Sequence, residues 1–363
     1  MAAQEEDRDL IVNTDLAYPV CVGYDTLPAV ATFMEHRAQP FVIVTDANPH
    51  VLRLARQVAR LKGCLGVLAF PLGESRKRLA TVERVHEALL QAGADRGTLV
   101  VGVGGGVASD LFGFAAATFM RGVAYAHVAT TLVGMVDASI GGKTGVDLKH
   151  GKNIAGVFRD PVAVFAQVDM LETLPYRLLR EGLAEVLKVA IIEGDEFFEA
   201  VETLAPHPFW RWPWLEIVAR AIKVKTMIVL DDREESGIRE LLNLGHTFGH
   251  ALETASTYRV SHGVGVALGL RAAGLLAMRT GRYSEEEHLR VLATMALLGM
   301  PLSTSVDAGD AFAAMQSDKK KRAGKLRFVL PRAIGDVEYG VEAPERLVKS
   351  VLSRLQRSPE SFG

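Results

Sequence analysis

The sequence predicts an α/β unit followed by a mostly helical one. Three observations carry that expectation. Short β-branched runs alternate with amphipathic helical patterns through the first 170 residues, as in a mostly parallel sheet covered by helices. From about Leu174 to Leu298 the pattern turns long and helical, with few strand candidates. At 363 residues the chain exceeds what one small core organises, so two domains are expected.

The elements follow in order. "PFVIVTDANP" reads as a strand ending in a turn, and "VLRLARQVARL" as the amphipathic helix after it. "TLVVGVGGG" is a second strand, "ASDLFGFAAATFM" a helix and "VAYAHVATTL" another strand. The boundary is placed in "QVDMLETLP", which divides the chain into 1–170 and 171–363. The tryptophans of "FWRWPWL" read as packing at a helix start.

Composition narrows the function classes. Hydrophobic residues make up 49% and charged residues 23%, ordinary for a globular protein. A net charge of -2 lacks the basic excess of a nucleic-acid binder. The acidic start, "MAAQEEDRDL", has no apolar signal-peptide core, and no apolar run reaches the ~18 residues of a membrane span. Two cysteines, Cys21 and Cys64, are too few for a disulfide framework and fit a reducing cytoplasm.

In "VVGVGGGVASD" a strand, then Gly102, Gly104, Gly105 and Gly106, then a helix follow one another. Glycines let backbone amides approach a diphosphate, and the helix start offers a positive dipole end. The spacing is not the usual dinucleotide fingerprint, because Val107 stands where the third glycine would fall. The competing explanation is a tight turn that needs positive φ. Asp46 and Asn48 follow a strand end, where a nucleotide ribose would be met in an open sheet; taken alone they read as turn formers.

"ELLNLGHTFGHALE" sets His246 and His250 one helical turn apart, able to face one site. A lone histidine would be read as a satisfied core residue. Here His262 of "SHGVG" and Glu185 of "EGLAEVLKV", with Lys188 a turn later, change that weighing. A His/His/Glu set suits a catalytic Zn²⁺ with an open position, and spacing alone does not say which two histidines bind.

Cationic and amide side chains recur among glycines or near the histidine helix: Lys143, Lys152 and Asn153; Lys225, Arg239 and Asn243; Lys319 and Lys320. Singly, each would be a solvated surface group. Together they describe a pocket for a small molecule carrying phosphate and carboxylate, with a metal at its centre.

Five long blocks, "GGGVASDLFGFAAATFMRG", "TTLVGMVDASIGGKTGVDLKHGKNIAGVF", "LREGLAEVLK", "DDREESGIRELLNLGHTFGHALE" and "DKKKRAGKLRFVLP", resemble the 3-dehydroquinate synthases of the sugar-phosphate cyclase family, in that family's order. The resemblance implies a Rossmann-like N-terminal nucleotide-binding domain and a mostly helical C-terminal metal-binding domain, with the active site in the cleft between them. It implies NAD, one divalent metal (zinc or cobalt) and a homodimer; composition points to a cytoplasmic protein that binds neither membrane nor nucleic acid. By position, the metal ligands are Glu185, His246 and His262, which makes His250 a substrate residue. NAD is met by Asp46, Asn48, Glu74, Lys77, Gly105, Gly106, Asp110, Thr130, Thr131 and Thr173, with Lys143 and Lys152. The substrate positions are Asp137, Lys143, Lys152, Asn153, Lys188, Lys225, Arg239, Asn243, His250 and Lys319. Arg121 matches a residue lent across the dimer.

The implied reaction converts 3-deoxy-D-arabino-heptulosonate 7-phosphate to 3-dehydroquinate and phosphate, with transient oxidation of a ring carbinol by NAD. Three features depart from the commonest pattern: Ala129 before the paired threonines, the run Leu148 to His150, and Val264 after the His–Gly pair. They leave an aminodehydroquinate synthase as a close alternative. A more distant one is an iron-type alcohol or glycerol dehydrogenase, which would accumulate NADH.

Overall fold

The computed structural model describes residues 9–12, 16–149, 151–321 and 325–359; most of the acidic start lies outside the described residues. In chain order the elements are β1 (Asp9–Val12), β2 (Val20–Gly23), α1 (Leu27–Arg37), β3 (Phe41–Asp46), α2 (Pro49–Val58), β4 (Cys64–Phe70), α3 (Leu79–Gln91), β5 (Leu99–Gly104), α4 (Gly106–Thr118), β6 (Tyr125–Ala129), β7 (Lys143–Leu148), β8 (Gly151–Phe158) and β9 (Ala163–Gln167). There follow α5 (Tyr176–Glu193), α6 (Asp195–Leu204), α7 (Trp214–Asp231), α8 (His246–Ala255), α9 (His262–Arg279), α10 (Glu285–Leu297), α11 (Ala308–Lys321), β10 (Phe328–Ala333), β11 (Asp336–Val341) and α12 (Glu345–Leu355). They form two compact units, 1–175 with 213–230, and 176–212 with 231–363. A single cut near residue 170 does not capture the return of α7 to the first unit.

The first unit is built on a seven-stranded sheet of order β1-β2-β9-β6-β5-β3-β4, parallel except for the β1–β2 pair. β5 and β6 are buried along their whole length, and β3 all but its last residue. That is why they read as continuous apolar runs: a parallel sheet covered on both faces leaves no residue for water. One face packs Val42, Val100 and Val85 with Leu111 and Phe112; the other packs Ile43, Val101 and Phe165 with Val30 and Leu54. Asn48 caps α2, accepting from His50 N at 3.0 Å, and Pro49 occupies the first turn.

Two hairpins were not legible as strands. β7–β8 is antiparallel, and Gly145 faces Gly156. A Cβ on Gly156 would lie 2.5 Å from Thr144 O, and one on Gly113 of α4 would lie 2.5 Å from Thr144 Cγ2. The glycines that blurred the pattern are what let the hairpin close and pack on α4. β10–β11 interrupts the otherwise helical second unit. Of the three tryptophans, Trp212 and Trp214 are buried as expected; Trp210 is 73% exposed, which corrects the reading of all three as packing residues.

His127 is buried on β6, edge-on to Tyr125 at 5.1 Å. Burial lowers its pKa to about 4. The unfolded chain therefore takes up a proton that the folded unit refuses. The stability contribution is present above about pH 6.5 and lost as pH falls through about 4. The melting temperature of the wild type is expected to fall across that window. A His127→Leu variant should show a flatter dependence; an unchanged slope would rule out this histidine as a cause.

In the second unit α9 is the central element, packed by α5, α8, α10 and α12. Arg271, 1% exposed on α9, donates to the carbonyls of Leu302 and, at 3.0 Å, of Arg357. It ties the chain end that follows α12 into the core. Arg271→Met removes a charged donor from both carbonyls, and a loss of about 1.5–3 kcal/mol in urea unfolding is expected.

Candidate active site

The order of the first sheet reverses at β3. The chain moves from β3 to β4 on one side, then to β5, β6 and β9 on the other. In open α/β sheets, ligands bind at the carboxyl ends of strands where such a reversal occurs. Here that point is flanked by Asp46 and by the turn Gly104–Gly106. None of Gly102, Gly104, Gly105 or Gly106 has positive φ, so turn conformation does not explain them. Space does: a Cβ on Gly104 would lie 2.5 Å from Ala108 Cβ, and one on Gly105 2.7 Å from Thr131 Cγ2. α4 begins at Gly106 with no side-chain cap, so first-turn amides are not taken up by a capping group. This fits a diphosphate.

Around that edge, Thr130 N donates to Gly104 O at 2.9 Å and Thr131 Oγ1 accepts from Gly134 N at 3.1 Å. Asp46 accepts from Asn48 N at 3.0 Å, so both residues shape the turn as well as facing outward. Thr173 donates to Met170 O at 2.7 Å. A cavity of about 350 Å³ lies in the same unit, lined in part by His50, Arg53, Gln57, Gln167 and Met170.

A buried polar network joins several predicted residues. Lys77, 4% exposed, donates to Asp110 and, at 2.5 Å, to Asn153 Oδ1. Burial pulls its pKa down, but Asp110 outweighs burial and the ammonium stays charged. Lys152 pairs with Glu74 at 2.6 Å. Asn153 sits in the left-handed region (φ 52°), its amide held by Asp147 at 2.9 Å. Lys143 is half-buried at the start of β7. Lys225, on α7, reaches Asp137 Oδ1 at 2.5 Å and Asp137 O at 2.6 Å. Lys225 thus belongs to the first unit, whereas Arg239 and Asn243 belong to the second. Arg121 is exposed, with φ 72°.

In the second unit the metal candidates converge. Nε2 of His262 and of His246 lie 3.0 and 3.5 Å from the same Glu185 oxygen, Oε1. The other ring nitrogen of each is oriented: His246 Nδ1 lies 3.3 Å from Leu244 O, and His262 Nδ1 3.1 Å from Glu253 Oε1. His250 is a near neighbour, since one ring nitrogen from each of His246, His250 and His262 lies within 4.8 Å of the others. Lys188 holds Glu185 Oε2 at 2.5 Å. Burial lowers the His246 pKa to about 3, leaving a neutral imidazole. Burial pulls His262 down too, but Glu185 and Glu253 outweigh it and raise its pKa to about 10. Burial disfavours the Glu185 anion, yet Lys188, His246 and His262 hold it well below the usual carboxylate range. Two inward-facing Nε2 atoms and a buried anion are a donor set for a divalent cation.

Arg239, 1% exposed, donates to Arg233 O at 2.5 Å, and Asn243 to Glu235 Oε1 at 2.8 Å. Asp232 staples this turn, accepting from Ser236 N, Gly237 N and Arg239 N at 2.9, 2.7 and 3.1 Å. Lys319 lies on α11, but its side chain lies outside the described residues, as does His150.

Two family models, 3-dehydroquinate synthase N-terminal and C-terminal, match residues 67–181 and 182–321. A 3-dehydroquinate synthase from Gloeobacter violaceus is 40% identical over 94% of this chain and 97% of its own. The chain belongs to the 3-dehydroquinate synthase family. Another 3-dehydroquinate synthase, from Synechococcus sp., is 38% identical over 93% of this chain and 96% of its own. Among solved structures, 2-epi-5-epi-valiolone synthase from Streptomyces hygroscopicus, with NAD+ and Zn2+ bound, superposes with a TM-score of 0.85, 30% identity and 98% coverage of both chains. An iron-containing alcohol dehydrogenase from Corynebacterium glutamicum shares the fold, with a TM-score of 0.68 at 15% identity over 97% and 98% of the two chains. The expected fold class, a Rossmann-like α/β half and a helical half, is the fold of this 3-dehydroquinate synthase family member.

Two carboxylates of this family member escaped the sequence reading. Glu253 closes the "ELLNLGHTFGHALE" run, and nothing in its spacing shows that it is 1% exposed. Glu235, bonded to Asn243, has a φ of 59° that no spacing pattern reveals.

Proposed function

We propose that the chain converts 3-deoxy-D-arabino-heptulosonate 7-phosphate to 3-dehydroquinate and phosphate, using NAD and one divalent metal. The observation that carries this reading is the convergence of His246 and His262 on Glu185 in a family member. Glu185, His246 and His262 would hold the cation, and the Gly104–Gly106 turn with the first turn of α4 would hold the dinucleotide diphosphate. When bound, these groups supply reversible hydride removal from a carbinol made more acidic by the cation.

The chain's own residues then bind and position. We assign the dinucleotide to the unit of 1–175 with 213–230, and the metal with part of the substrate to the unit of 176–212 with 231–363. In the first part, Lys143, Lys152 and Asn153 offer donors to an anion, and Asp137, held by Lys225, offers a carboxylate for proton movement. In the second, Arg239 and Asn243 offer a guanidinium and an amide to a carboxylate, and His250 lies beside the metal ligands. Lys188 steadies Glu185. Arg121, exposed, is assigned to the partner's site in a homodimer. Only two cysteines, too few for a disulfide framework, support a reducing cytoplasm as the setting.

The test is incubation with the heptulosonate phosphate, NAD and Zn²⁺. Equimolar phosphate and carbocyclic product, without net NADH, are expected. Accumulating NADH would favour a dehydrogenase; turnover of only the amino analogue would favour an aminodehydroquinate synthase. Lys152→Ala is expected to lower kcat/KM by roughly a hundred-fold, as for loss of one positioned charge, and unchanged turnover would remove Lys152 from the anion site.

A further inference from the structure

We propose that Glu253 positions His262 as a metal ligand, and that a glycine seam between α8 and α9 lets it do so. The inference rests on reading Glu185, His246 and His262 as the ligand set. Glu253 is 1% exposed and lies two helical turns beyond His246 on α8, the same face. His262 opens α9, with Nδ1 3.1 Å from Glu253 Oε1 and Nε2 turned to Glu185 Oε1 at 3.0 Å. An imidazole whose Nδ1–H donates to a carboxylate presents the Nε2 lone pair outward, in a fixed plane.

Two features show that the contact is built into the packing. The first is the seam. A Cβ on Gly249 would lie 2.8 Å from Gly265 C, and one on Gly269 would lie 1.9 Å from Gly245 O. A Cβ on Gly265 would lie 3.1 Å from Glu253 Oε1 itself. α8 and α9 therefore approach backbone to backbone at the level where Glu253 meets His262. The second is the connection. Thr257 and Tyr258 both sit in the left-handed region, at φ 53° and 59°, where side chains are disfavoured. The Glu253–His262 bond spans that connection and fixes the ring that leaves it.

The experiment uses the full chain, stripped of metal, and measures Zn²⁺ affinity by competition with a chromogenic chelator and the visible spectrum of the Co²⁺ form. Glu253→Leu and Glu253→Asp are each expected to bind Zn²⁺ about 10–100-fold more weakly, with an altered Co²⁺ spectrum. Aspartate keeps the charge but loses one methylene of reach. Glu253→Gln keeps an oxygen that accepts from Nδ1–H, and is expected within about 3-fold of the wild type. Should Glu253→Leu not fold, the order of the glutamine and aspartate variants still decides. Aspartate as tight as the wild type, or glutamine as weak as leucine, overturns the positioning role. A wild type whose Zn²⁺ affinity is unaltered by His246→Ala overturns the ligand set, and this inference with it. A His246-dependent site indifferent to Glu253 overturns this inference alone.

Discussion

His246→Ala is expected to abolish stoichiometric metal binding and to lower kcat by roughly a thousand-fold, the several kcal/mol that a Lewis-acid centre contributes. The reasoning is local. His246 supplies one of two Nε2 atoms that face Glu185 Oε1, and its Nδ1 is already committed to Leu244 O. No rotation of the remaining ring of His262 replaces it, because Glu253 holds that ring. Chelation of the wild type should give the same loss, reversed by Zn²⁺ or Co²⁺, whereas added metal should not rescue the variant. The fold should survive, since an alanine leaves no unpaired charge behind. Full metal content in His246→Ala would hand the ligand position to His250, the third histidine of the cluster.

How much of this was legible beforehand depended on the range of the interaction. β3, β5 and β6 announced themselves, because strands buried on both faces are mostly apolar, with few polar positions such as Thr45 and His127. The His246/His250 pair was legible because helical spacing is local. Glu185 and His262 entered the candidate metal set by residue type, and resemblance chose the ligands among them; no periodicity joins residues 77 apart in the chain. Asp46 and Asn48 show a mixed case: their positions suggested a nucleotide edge, and the structure adds that Asn48 caps α2. Lys225 was grouped with Arg239 and Asn243 on sequence nearness, and the structure adds its contact with Asp137 from α7. Glycines were ambiguous. In β7–β8 they hid a hairpin, and at Gly104–Gly105 the competing explanation, a turn needing positive φ, gives way to crowding. Sequence shows that a Cβ is missing; only the fold shows which atom takes its place.

Lys77→Met is the second change with a large expected effect, and it separates stability from cofactor binding. Lys77 is 4% exposed and bridges Asp110 and Asn153. Methionine fills the same volume but leaves Asp110 without its cation, a loss of about 3 kcal/mol for a buried pair broken on one side. It also frees the side chain of Asn153, whose left-handed backbone within β8 is otherwise held through Asp147. NAD affinity is expected to fall by about a hundred-fold, the loss of one positioned ammonium at the dinucleotide edge, as read by fluorescence titration. The double variant Lys77→Met with Asp110→Asn removes the stranded charge. It should recover most of the unfolding free energy in urea while NAD affinity stays low. That split follows because neutralising Asp110 relieves its desolvation without restoring an ammonium at the dinucleotide edge. If NAD affinity returned together with stability, the Lys77–Asp110 pair would be a structural strut and the cofactor would have to be held by the Gly104–Gly106 turn and the start of α4 alone.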